Sequence, residues 1–248
     1  MKKLLVFLII LALPPVLVYV AFTNPNPPVF AHEYQTGDPQ TIIQDEITLL
    51  LMREETHSVA IARSEGALND LIFNLFRESA PDYLPPNQCE SADCRYAISM
   101  DTEVLNQTVE GGVVAVWIVL EEEALTLFIQ VEAHALLAFP TLLSLRFNVE
   151  NSEETLTLSF ERATLGRVRL SEAMVSPIVT RLMDRLGNTS DQTFGDAITL
   201  SVSDLSVRLD KTALTNNDDL DPRLATLFLE EDIPYSIWVF LLSYALLS

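Results

Sequence analysis

The spacing of hydrophobic and polar positions changes several times along the chain, and each change marks an element. The first block, Leu4 to Phe22, reads LLVFLIILALPPVLVYVAF, nineteen residues without a charge. From Asp45 to Arg63 the pattern predicts extended chain. Ile47, Leu49 and Leu51 share a face that Val59 and Ile61 resume, although Leu50 and Met52 blur the alternation. The period then lengthens. In SEGALNDLIFNLFRES, Leu68, Leu71, Ile72, Leu75 and Phe76 recur at helical spacing, with Ser64 placed to cap the helix and Glu65 in its first turn.

Strand signals follow a Pro-containing loop over 82–94. Tyr96 to Met100 is the first, and Gly112 to Leu120 (GVVAVWIVL) is apolar on both faces, as a strand covered from both sides would be. Leu125, Leu127, Ile129 and Val131 then alternate with polar neighbours. Leu143, Leu145, Phe147 and Val149 do the same against Ser144, Arg146 and Asn148, and Leu156, Leu158 and Phe160 against Thr157, Ser159 and Glu161. This predicts an antiparallel meander with one wet face.

A second helix is predicted from the stripe Val175, Ile178, Val179, Leu182, Met183 and Leu186, stopped by Gly187. It starts either at Ser176-Pro177 or at Ser171 with Pro177 inside it. Ala197 to Leu209 reads as one long strand whose phase slips at Ser203-Asp204, which predicts a bulge. The uncharged end, residues 233–248, reads as a buried helix or strand, the alternative being a shallow dip into a membrane surface. Strand, helix, meander, helix, strand is an α+β order: a curved antiparallel sheet packed on two helices.

The uncharged block changes the picture most. As a helix it would span about 28 Å, close to the roughly 30 Å hydrocarbon core of a bilayer. Lys2 and Lys3 place residues 1–3 in the cytoplasm, 4–22 in the membrane as a single-pass signal-anchor, and the rest in the cell envelope. The rival reading is a cleaved signal peptide ending at Val29-Phe30-Ala31, but that site lies nine residues past Phe22. Residues 23–40, rich in Pro and Asn, read as a stiff spacer, and 41–248 as the extracytoplasmic domain. In an oxidising compartment Cys89 and Cys94 would pair, a closure contributing about 2 kcal/mol by chain entropy.

Charge narrows the partners. The net charge is −20, from 35 acidic and 15 basic residues, which excludes nucleic acid and anionic headgroups as partners drawn in by overall charge. Only seven glycines are present, and no phosphate-cradling loop can be traced.

The basic-then-apolar N-terminus, the SEGALNDLIFNLF helix and the stretch ATLGRVRLSEAMVSPIV together resemble the YpmS-like family of membrane-anchored bacterial proteins of unknown role. Leu68-Asn69 fits that family's leucine-asparagine helix. Gly166 and Leu170 fit its entry to a second helix, with Ser171 where proline is usual. The resemblance runs from about Ile47 to Leu209 and carries no catalytic signature. The layout also looks like tubular lipid-binding domains, in which a curved sheet wraps a helix and leaves an apolar groove, a likeness of fold alone.

Reactive chemistry is sparse. His32, His57 and His134 are scattered, and neither HExxH nor GxSxG is present. Asn216 to Asp221 offers oxygen ligands but lacks the glycine and distant glutamate of a calcium loop, so it reads as surface. No metal or cofactor is implied, and an enzyme is the least supported class. The apolar excess has functional content: Leu68, Ile72, Phe76, Trp117, Phe128, Phe139, Phe147 and Phe160 could line a groove for a lipid or another apolar ligand. The alternative is a non-enzymatic envelope scaffold that recruits a partner protein, whose identity the sequence does not give.

Overall fold

The computed structural model describes residues 19–23, 34–39, 41–42, 45, 48, 57–85, 88–89, 91, 94–100, 102–104, 107–121, 123–134, 138–177, 179–181, 197–201 and 204–215. The central elements are four long strands: β3 (Gln107–Glu121), β4 (Ala124–His134), β5 (Ala138–Asn151) and β6 (Thr155–Leu165). They pair in sequence order as the antiparallel meander that the alternation predicts. Short strands extend both sides. β1 (Ile98–Ser99) and β2 (Thr102–Val104) line one edge of β3, while β7 (Val168–Arg169) and β9 (Ser206–Asp210) share the outer edge of β6, with β8 (Ile198–Ser201) beyond β9. Two register shifts, between Val113 and Ala115 on β3 and between Arg146 and Phe147 on β5, add twist. The result is a curled antiparallel half-barrel in an α+β fold.

Gly112 lets β1 close on the meander, because a side chain there would collide with the carbonyl of Ile98 and the ring of Tyr96. Long helix α1 (His57–Ser79) packs its apolar stripe inward, with Leu68 and Leu71 at 0% exposure. Helix α2 covers 172–177 and 179–181 and buries Val175 and Val179 in the same core. A short α3 (Lys211–Thr215) follows β9, capped by the Asp210 carboxylate, which accepts from the amides of Thr212 and Ala213.

Two expectations change, and one alternative is decided. The chain from His57 to Arg63 is helical rather than extended, and residues 45 and 48 are helical as well. Val59 and Ile61 sit among alanines, whose helix preference suits a longer α1, and two β-branched residues two apart do not fix a strand. Ser64 and Glu65 consequently lie inside the helix and not at its start. The single strand over 197–209 is a hairpin. Ser201 pairs with Ser206, the Ser201 hydroxyl donates to the Asp204 carboxylate, and Leu205 takes φ 46°. The phase slip was the mark of a turn, because Ser and Asp side chains stabilise a chain reversal that a bulge does not require. The second helix begins directly after Ser171, whose carbonyl accepts from the amides of Met174 and Val175, so Pro177 lies within it.

Among the described residues no helix is long and apolar enough to cross a membrane. Of the proposed anchor, residues 4–18 lie outside the described residues and 19–22 are helical. Most of the spacer, the stripe residues Ile178, Leu182, Met183 and Leu186, the 216–221 run and the apolar end also lie outside them.

Candidate functional site

The concave side of the half-barrel is one continuous apolar surface. Ile118, Leu120, Leu125, Leu145, Phe147, Leu156 and Leu158 from the strands meet Leu68 and Ile72 of α1. Packed against this core are partly covered apolar residues that include Phe76, Val116, Leu127, Leu143, Phe160 and Ile198. Five of the eight groove candidates therefore converge: Leu68, Ile72 and Phe147 are buried, Phe76 and Phe160 half-buried beside them, with the Phe147 and Phe160 rings 5.9 Å apart edge-to-face.

Trp117 and Phe128 do not join this group. They pair across β3 and β4, their rings stacked at 5.2 Å, and form a separate cluster with Ala115 and Leu142. Strand alternation puts Trp117 on the other face from Ile118, so one groove cannot contain both sets. Phe139 stands opposite Ala133 in the β4–β5 register. The outer face is thus wet only in part. Beyond the Trp117 cluster it is polar, and Arg146 bridges Glu121 at 2.6 Å and Glu161 at 2.8 Å. The hydrogen bond to Glu121, reinforced by Glu161, holds the Arg146 guanidinium still more firmly protonated.

The polar residues of α1 do something that no periodicity reveals. Asn69, 0% exposed, donates its amide to the carbonyl of Ile118 and accepts from the Ile118 amide, both at 2.8 Å. Glu65, one turn earlier, accepts from the Leu120 amide at 2.8 Å. Together they act as a surrogate strand along the open edge of β3. Beyond them, the Tyr83 hydroxyl donates to the Val114 carbonyl at the bulge. A second pair one turn apart faces another segment. Asp70 accepts from the Gln35 amide at 2.8 Å, and Asn74 donates to the Gln35 carbonyl at 2.8 Å and accepts from the Gly37 amide at 3.1 Å. One helix thus fastens two distant backbone segments through two i, i+4 pairs.

Tyr34 and Tyr83 pack their rings against Phe73 on the same helix, at 4.6 and 5.7 Å. Burial raises both phenols above their ordinary range, Tyr34 being pushed further by the Asp70 charge and Tyr83 by Tyr34. The Cys89–Cys94 disulfide is formed, with Cα atoms 5.6 Å apart. It directly precedes Arg95, which grips the buried Glu132 carboxylate in a two-pronged pair at 2.8 and 3.0 Å. Lys211, also 0% exposed, donates to the Ser152 carbonyl at 2.7 Å. Among the described residues no three His, Cys, Asp or Glu side chains gather as a metal site.

Compared with protein-family models, with curated proteins and with solved structures, the chain finds no match in any of the three.

Proposed function

We propose that this protein is a membrane-tethered domain on the outer side of the membrane, held by residues 4–22, that carries a lipid or similarly apolar ligand against its half-barrel. The observation that supports it is that Phe76, Leu127, Leu143 and Phe160 stay only partly covered beside a continuous apolar concave face. An acyl chain laid over these side chains would remove their remaining apolar surface from water, at about 25 cal/mol per Å². Native mass spectrometry of the full chain released from detergent tests this. The expected result is added mass in the phospholipid range, reduced several-fold by Leu127→Gln together with Leu143→Gln; a protein of lipid-free mass sinks the reading.

A second reading, a non-enzymatic envelope scaffold that recruits a partner protein, draws on how fully the centre is closed. Leu68, Leu156 and Leu209 are at 0% and Leu145 and Phe147 at 1% exposure, which leaves those side chains to each other as core. A lipid-free mass with an intact fold favours this reading. The YpmS-like resemblance suits either, since that family is membrane-anchored and has no assigned chemistry.

A further inference from the structure

We infer that the β6–β7 hairpin faces the bilayer and that the tether is seated rigidly in it, so the domain stands on the membrane in one orientation; this rests on the tether in the reading above. The apolar N-terminal run does not leave the domain as a free lead. Its last turn is closed by Thr23, whose amide and hydroxyl both donate to the Tyr19 carbonyl at 2.9 and 2.7 Å. Thr23 itself is buried. Two carbonyls of that turn are then taken up by residues far along the chain. The Arg167 amide donates to Ala21 at 2.8 Å, and the Thr141 hydroxyl donates to Phe22 at 2.6 Å.

Gly166 makes the seat possible. It has φ 60°, and a side chain there would collide with the Phe22 backbone, so two separate reasons exclude other residues. A turn held at both carbonyls and pressed into a glycine notch fixes direction as well as distance. The chain before Tyr19 is uncharged back to Leu4, and Tyr19 and Val20 are themselves exposed, 37% and 44%, beside the notch.

Local charge agrees with this orientation against the trend of the whole molecule. Leu165 to Leu170 (LGRVRL) carries two exposed arginines, Arg167 and Arg169, and no acid, in a chain of net charge −20. Basic side chains at a membrane exit meet phosphate headgroups favourably, and an exposed tyrosine at the same level suits the interface. The partner is therefore a phospholipid surface, met at the hairpin end and not at the β5–β6 turn, where Glu153 and Glu154 stand.

The experiment uses the full chain in vesicles of phosphatidylcholine, with and without phosphatidylglycerol, containing headgroup-nitroxide lipid. Val168→Cys at the hairpin or Glu153→Cys at the opposite turn carries a fluorophore; the native cysteines are paired and do not label. β6 alone separates the two sites by roughly 30 Å. Quenching several-fold stronger at 168 than at 153 is expected. Gly166→Val should erase that difference while the chain stays with the vesicles, and the milder Thr141→Val should narrow it. Arg167→Gln with Arg169→Gln should narrow it only where phosphatidylglycerol is present. Equal quenching at the two sites of a chain that withstands alkaline washing overturns the orientation alone. Release of the chain by that wash overturns the tether and the orientation with it.

Discussion

Asn69 shows how much one buried polar residue can hold. Its amide replaces a missing strand at Ile118, and truncating it would leave a buried N–H and a buried C=O unpaired. Asn69→Ala is expected to cost about 2–4 kcal/mol, read as a drop in unfolding free energy in urea. Tyr34 and Tyr83 set a pH limit. Both phenols hold their protons more tightly folded than unfolded, so their contribution is complete below about pH 10 and is lost as pH climbs past it. Stability should fall there, with Tyr34→Phe making the fall shallower; a melting curve taken at stepped alkaline pH checks this. Burial is the main cause of both shifts, with Asp70 adding to it at Tyr34 and Tyr34 at Tyr83, and all of these act only in the folded chain.

At the scale of elements, α1 is a fastener as much as a core helix. Its Glu65–Asn69 pair holds β3 and its Asp70–Asn74 pair holds residues 35–37, so the two functions are separable. Asn74→Ala should raise hydrogen exchange at the Gly37 amide by at least tenfold while leaving those of Ile118 and Leu120 protected. Equal loss at both would mean that the helix moves as a whole. The apolar stripe of α1 was legible at once, since Leu68, Leu71 and Ile72 repeat at helical spacing. The fastening was not, because Asn69 meets its partner 49 residues away and nothing near it in sequence marks that contact.

For the whole molecule, charge and architecture pull in different directions. A net charge of −20 makes the folded domain repel itself, since compaction brings like charges together. Raising salt from about 10 mM to about 150 mM shortens the screening length from roughly 30 to 8 Å and should raise the melting temperature by several degrees. No change would mean that pairs such as Arg146 with Glu121 and Glu161 already offset the repulsion.

The meander, the inward rows of β4 to β6, the α1 stripe and the cysteine pairing could all be read from the sequence alone. These follow from period, residue type and short separation, which are local properties. The remaining features depend on how the chain closes in three dimensions. That closure turned the 197–209 stretch into a hairpin, set Trp117 and Phe128 apart from Phe147, matched Asn69 to a strand edge and seated Phe22 against Gly166. Each of these depends on which distant backbone arrives at a given face. A hydrophobic pattern states that a face is covered, while the covering partner is fixed by the closure of the sheet.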